Sequence, residues 1–183
     1  ANPNIFPGLI TLAENIGDPA VRNRGTIGGS LANNDPAACY PAAALSTGAT
    51  IVTDSREISA DDFFQGMFET ALEESEIILS VRFPVPSLSS YQKFVQPASR
   101  FAMVGVFLSK FENETRVAIT GASEEGVFRW REAERALNED FSEGSITDFV
   151  LEPSGMIGDI HASKEYRAHL VKVMTKRAVK SAS

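Results

Sequence analysis

One cysteine, Cys39, and two histidines, His161 and His169, are all that this sequence offers for a disulfide or a thiol- and imidazole-rich metal centre. A lone cysteine closes no internal disulfide, and a reducing, cytoplasmic compartment is the default expectation. The histidines are eight residues apart, with no cysteine or carboxylate at ligand spacing, so a zinc site is not expected. Positive charge is also short. Lys and Arg number 17 against 24 Asp and Glu, a net charge of −7, which disfavours nucleic acid and anionic membranes as partners. No apolar run approaches the ~18 residues of a membrane helix, and no charged-then-apolar leader opens the chain. Internal repeats and low-complexity tracts are absent. Neither G-x-G-x-x-G after a strand nor G-x-x-x-x-G-K-[ST] occurs, which excludes the Rossmann dinucleotide fingerprint and the P-loop and leaves kinase or NAD chemistry without support.

What is present is an ordinary globular balance, 43% hydrophobic and 22% charged over 183 residues, enough for one compact domain or two small ones. Leu9, Leu12, Ala13 and Ile16 recur at helical spacing between Pro7 and the Gly17/Pro19 stop, which predicts a short helix over 7–16. A strand is expected over 49–53 and another over 77–83, closed by Pro84 and Pro86. The "PVPSLSS" stretch reads as a linker, with a domain boundary near 84–90. Beyond it, strands are expected over 91–95, 103–111 and 116–122, the last two joined through "ENET" as an antiparallel hairpin. Trp130, Ala133 and Leu137 share a helix face. After an acidic loop over 139–158, Ser163 is placed to cap a final helix with Tyr166, Leu170, Val173, Met174 and Ala178 as its apolar stripe.

The segment "RNRGTIGGSLANNDPAACYP", residues 22–41, stands apart, being poor in large apolar side chains and rich in accessible backbone. A turn with two adjacent glycines can point several N–H groups outward with no Cβ in the way, a cradle suited to anionic oxygens. Thr26 adds a hydroxyl, and Ser30, Asn33 and Asn34 add short polar groups. A tight turn or a close backbone crossing would account for the same glycines. Arg22 and Arg24 would either neutralise phosphate or pair with acidic residues. Cys39 is read as small buried packing rather than a reactive thiol. The acidic clusters Asp61/Asp62, Glu73/Glu74/Glu76 and Glu124/Glu125 are read as solvated surface, and Phe63, Phe64 and Phe68 as core or a subunit contact.

The longer run "IGDPAVRNRGTIGGSLANNDPAACYPAAAL" resembles the second flavin-binding motif of the FAD-binding (medium) subunits of molybdenum hydroxylases, the family of carbon monoxide dehydrogenase medium chains and xanthine dehydrogenase flavin domains. The likeness continues, in the family's order, through "IILSVRFPVP", "YQKFVQPASRFAMVGV" and "DIHASKEYRAHLVKVMTKRAV". It implies an α+β fold, the second subdomain of a PCMH-type FAD-binding domain over 1–86, followed over 87–183 by the family's C-terminal α/β domain, an antiparallel sheet packed with helices. It implies that Thr26, Ile27, Gly28 and Gly29 meet the FAD pyrophosphate, with Ser30 beside them, and that Asn33 and Asp35 lie near the adenosine and ribityl part. Leu79 would meet the flavin ring or adenine, and Lys93 and Phe101 would approach the isoalloxazine. Cys39 stands where the family commonly has Asp, and Asn33 where His is frequent.

The resemblance also implies an oxidoreductase subunit passing electrons between iron-sulfur clusters, FAD and an acceptor, with no catalytic side chain of its own. Molybdopterin and [2Fe-2S] would reside in partner chains, a large and a small subunit, in a possible dimer of heterotrimers. The family's first grip on FAD is a loop of the "AGGHS" kind in an N-terminal subdomain, which this sequence does not contain. The expectation is therefore a piece of a longer subunit that grips FAD weakly alone. The alternative is a docking module for the other subunits that carries no flavin.

Overall fold

The computed structural model describes residues 6–17 and 19–182. Its centre is a four-stranded antiparallel sheet, β6 (Leu88–Val95), β7 (Ala102–Lys110), β8 (Thr115–Ser123) and β9 (Gly126–Arg129), in that order. β7 and β8 are buried along nearly their whole length because both faces of the sheet are covered. Val104, Val106, Leu108, Val117 and Ile119 point to one face, where they meet α6 (Arg131–Glu139) and α7 (Lys164–Ser181). Phe107, Ala118 and Tyr91 point to the other, where they meet Phe6, Leu12 of α1 (Pro7–Glu14) and Ala42, Ala43 and Leu45 of α4 (Tyr40–Thr47). Burying a Leu or Phe side chain of this kind is worth about 2 kcal/mol, so both layers contribute to holding the sheet.

The first half of the chain thus shares a core with the second. A smaller unit lies beyond α4: β1 (Thr50–Thr53) pairs with β2 (Glu57–Ser59) on one side and β5 (Ile78–Arg82) on the other. Between β2 and β5 run the one-turn helix α5 (Ala60–Phe63) and the hairpin β3 (Phe64–Gly66) with β4 (Glu69–Thr70). Leu31, Ala44, Ile51 and Phe63 fill the space under that sheet.

Several expectations are met. The "ENET" hairpin joins β7 to β8, Trp130, Ala133 and Leu137 are buried together, and the Ser163 hydroxyl accepts from the Tyr166 amide at 3.3 Å at the start of α7. Cys39 is buried at 7% exposure among Tyr91, Phe107 and the alanines of α4.

Others are corrected. The Gly-Gly stretch is not a free turn but the first turn of a helix, α3 (Ile27–Asn33), because Thr26 caps it. A further helix, α2 (Pro19–Arg24), and the edge strand β9 carry no clear periodic signal in the sequence. Tyr166 is 44% exposed, and its place in the buried stripe is taken by Arg167, whose guanidinium meets the carbonyls of Met103 and Gly121, both at 2.8 Å, and Asp159 at 2.6 Å. Phe63 is core, but Phe68 is exposed.

The acidic clusters are not all bare surface either. Asp61 pairs with Arg116 at 2.5 Å and Arg129 at 3.2 Å, tying α5 to β8 and β9. Glu76 accepts from Arg56 (3.0 Å), Thr53 (2.7 Å), Ser55 (2.9 Å) and the Glu73 amide (2.8 Å), pinning the entry to β5 against the β1–β2 turn. A carboxylate in a run of polar neighbours looks solvated in one dimension, and only folding brings its arginine to it. Among the described residues no helix is long and apolar enough to cross a membrane, and no group of three His, Cys, Asp or Glu is placed to hold a metal ion.

Candidate functional site

The local structure around "GTIGGS" follows from one hydroxyl. Thr26 has an extended backbone, and its Oγ1 accepts from the Gly29 amide at 2.9 Å, while its carbonyl accepts from the Ser30 amide at 3.0 Å. Helices leave their first amides without intrahelical acceptors, and the cap satisfies one of them. The amides of Ile27 and Gly28 make no hydrogen bond among the described residues. The two glycines differ in what surrounds them. A Cβ on Gly28 would meet the Ile78 side chain at 3.7 Å, an ordinary contact, whereas a Cβ on Gly29 would lie 3.0 Å from the capping oxygen, a tight one. Of the four amides expected to be bare, the cap uses that of Gly29, while those of Thr26, Ile27 and Gly28 make no hydrogen bond among the described residues.

Thr26 and Ser30 open onto a cleft of about 340 Å³. Ala13, Ile16 and Gly17 from the end of α1 and Val21 of α2 form one wall. Ala37, Ala38, Cys39 and Tyr40 form another, and Lys93 and Phe101 close it from the central sheet. Most of this lining is apolar, and its cations are Arg22 and Lys93.

Three sets of hydrogen bonds fix the walls. The Thr120 hydroxyl donates to the carbonyls of Pro36 (2.9 Å) and Ala38 (2.7 Å), and the Gly121 amide donates to Pro36 at 2.7 Å, so the 35–39 loop is sewn to β8. Gly121 is suited to this place: its φ is +81°, and a Cβ would come within 2.5 Å of the Ala102 carbonyl. Lys93 Nζ donates to the Asn15 carbonyl at 2.8 Å, at the end of α1. Arg22 Nη1 donates to the Ile16 carbonyl at 2.8 Å, its side chain also lines the cleft, and it has no ion pair among the described residues. At the mouth, Phe101 is 48% exposed and follows Arg100, whose φ of +60° turns the β6–β7 loop toward the cleft residues.

Of the residues singled out in the sequence, Thr26, Ser30, Lys93 and Phe101 converge on the cleft. Ile27 packs partly buried against the core under β1, and Gly28 and Gly29 lie along α3 outside the lining. Asn33 is exposed at the far end of α3. Asp35 folds back, its Oδ1 accepting from the Ala37 amide at 2.8 Å. Leu79 is 65% exposed on β5, an edge strand. Ile16, Val21, Ala37 and Tyr40 were not anticipated as lining. The sequence marks Ile16 only as helical periodicity, and small residues near a glycine pair are the only signal for Ala37. Burial first, and then the Cys39 thiol, push the Tyr40 hydroxyl above its ordinary range, so it stays a neutral donor at the cleft wall.

A mostly apolar slot whose polar lining includes Thr26, Ser30, Arg22 and Lys93 suits a flat, mostly apolar ring system with an anionic group beside it. The donor set fits a flavin nucleotide in kind. In size the slot takes only part of one.

Residues 3–86 match the family described as FAD binding domain in molybdopterin dehydrogenase. The chain is 32% identical over 179 residues to the glyceraldehyde dehydrogenase medium chain of Sulfolobus acidocaldarius, covering 90% of this chain and 64% of that one. It is 29% identical to the carbon monoxide dehydrogenase medium chain of Hydrogenophaga pseudoflava, covering 97% and 67%. Its fold superposes on a chain of reconstituted CO dehydrogenase from Oligotropha carboxidovorans with a TM-score of 0.85 at 26% identity, covering 97% of this chain and 68% of that one. The chain spans about two thirds of the length of the curated relatives it matches. Motif and fold agree: residues 3–86 match an FAD-binding domain of molybdopterin dehydrogenases, and the chain along 90–97% of its length is similar to the FAD-binding medium subunits of the molybdenum hydroxylases.

Proposed function

We propose that this chain carries the second half of an FAD site in an oxidoreductase subunit. The observation that supports this best is the juxtaposition at Thr26: a cap that leaves the Ile27 and Gly28 amides unused, beside an apolar slot closed by Lys93 and Phe101. In this reading Thr26, Ile27 and Gly28 meet the diphosphate, Gly29 and Ser30 shape its surroundings, and the flavin ring lies between the α1 end and Phe101. The rest of the nucleotide runs along α3 toward Asn33, Asp35 and Leu79. Residues 1–86 form the flavin-binding part and 87–183 the part that closes over it.

Bound FAD would supply the one- and two-electron chemistry. The protein's own residues bind, orient and exclude water. Lys93 fixes the end of α1, the Thr120 and Gly121 bonds hold the 35–39 loop, and no side chain acts as acid or base. Partners in this reading are an iron-sulfur small subunit and a molybdopterin large subunit, in a dimer of heterotrimers in the cytoplasm, as the single cysteine and the medium-subunit relatives suggest.

The test is flavin retention. FAD should be retained by the chain in equilibrium dialysis as a weak, saturable one-to-one complex, and Ser30→Phe, which fills the slot, should weaken retention at least about tenfold, ~1.4 kcal/mol. Equal affinity for ADP and FAD would reduce the site to a phosphate binder. No retention at all would assign the chain to subunit docking without flavin.

A further inference from the structure

The β3–β4 hairpin ends in Met67 and Phe68, whose side chains are 39% and 58% exposed. Phe68 has φ +58°, a conformation that side-chain-bearing residues avoid. The tip is nevertheless held firmly. Asn34, 1% exposed and itself at φ 42°, donates its Nδ2 to the carbonyls of Gly66 (2.7 Å) and Glu69 (2.9 Å), and its own carbonyl accepts from the Phe68 amide at 3.1 Å. From the other side the β8–β9 turn abuts the tip: a Cβ on Gly126 would lie 3.6 Å from the Gly66 carbonyl and 3.7 Å from the Met67 nitrogen. That turn carries Glu124 and Glu125, and β4 begins with Glu69; all three are exposed. Lys164 pairs with Glu124 at 2.8 Å, while Glu69 and Glu125 have no ion pair among the described residues.

We propose that the Met67–Phe68 tip is a docking knob that inserts into an apolar pocket rimmed by Lys or Arg on another polypeptide chain. Two large apolar side chains presented to water, one of them in a disfavoured backbone conformation and held by the side-chain amide and backbone carbonyl of a buried Asn34, do nothing for this chain's own core. The acidic margin decides the kind of partner. A second copy would set Glu69 and Glu125 against their equivalents across a two-fold interface, on a chain already at −7, and an anionic membrane would be repelled in the same way. A basic-rimmed pocket satisfies both the apolar tip and its margin. The inference does not rest on the flavin reading, since the tip, its Asn34 clamp and its acidic margin all lie outside the lining of the cleft.

The experiment places the photo-crosslinker p-benzoylphenylalanine at position 68 of the full polypeptide in its native host, irradiates the cells and sequences the joined peptide. Attachment to a different polypeptide, at an apolar site with Lys or Arg close by, is the expected result. Attachment to the same polypeptide, to a second copy, or to no protein overturns the proposal. Phe68→Gly separates docking from folding: the urea midpoint of the chain should stay the same or rise, FAD retention should be unchanged, and recovery of the crosslinked partner should fall at least tenfold. A lowered midpoint would mean that Phe68 serves this chain's own fold, and that result also overturns the proposal. Glu69→Gln with Glu125→Gln should flatten the salt dependence of the same association, and an unchanged salt dependence would remove the basic rim from the assignment.

Discussion

Lys93, on β6, reaches across to the carbonyl of Asn15 at the end of α1, Nζ to O 2.8 Å. The bond joins the central sheet to the helix whose last residues wall the cleft, so the two halves of the chain meet at the site and not only in the core. A cation near a helix C-terminus is favoured by the unpaired carbonyls there, by about 0.3–1 kcal/mol. Lys93→Met should therefore cost little in urea midpoint while loosening Ile16 and Gly17, and FAD retention should fall more than stability does. Equal losses would place Lys93 in the fold alone.

Thr26→Ala should lower stability by about 1 kcal/mol, the usual worth of an N-cap hydroxyl, and Thr26→Ser should restore most of it, because only the Oγ bonds the Gly29 amide. Chemical denaturation of the three proteins checks this. A Ser variant as weak as the Ala variant would show that the threonine methyl, not the cap, matters.

Gly121→Ala should be among the most damaging single changes, on the order of 3 kcal/mol, because it combines a positive φ with a Cβ only 2.5 Å from the Ala102 carbonyl. The 35–39 loop should come loose with it, since the Gly121 amide bonds Pro36. Loss of protection of that amide in hydrogen exchange, relative to the rest of β8, is the measurement.

The Arg56 guanidinium foremost, then the Glu73 amide and the Thr53 hydroxyl, hold the Glu76 carboxyl well below its ordinary value of 4.5, with burial opposing them. A carboxyl depressed by folding adds stability that is present above the unfolded value and lost as pH falls through the folded one. Glu76→Gln should therefore be less stable than the parent near neutrality, with the gap closing as pH drops below about 4.5. Thermal melts of the two proteins across that range test it, and a gap independent of pH would assign the effect to hydrogen-bond geometry alone.

Arg167 lies 4% exposed with its charge met by Asp159 and two carbonyls. Arg167→Met should destabilise by about 1–3 kcal/mol, mainly by leaving the buried Met103 and Gly121 carbonyls without their donor, and Arg167→Met with Asp159→Asn should recover part of the loss. Strict additivity in that cycle would refute the coupling.

The sequence by itself determined what repeats along one line. The near-continuous apolar runs of 103–111 and 116–122 are those of strands, the spacing of Trp130, Ala133 and Leu137 is that of a helix face, and the place of Ser163 is that of a cap, all of them set by neighbours a few residues apart. The string "RNRGTIGGS" likewise carried the family likeness without any fold in hand. Only the tertiary structure decided what depends on groups distant in the chain. Thr26, Ser30, Lys93 and Phe101 meet in one cleft because Thr120 and Gly121 draw the 35–39 loop onto β8 and Lys93 reaches Asn15, contacts spanning about 80 residues that no local pattern encodes. The same holds for Asp61 and Glu76, which read as solvated charge until packing supplies their arginines, and for Phe68, which reads as core or a subunit contact until a buried Asn34 holds it out in water. Local propensity and periodicity fix the elements, whereas long-range hydrogen bonds and steric fit fix which faces meet, and the site exists only where they do.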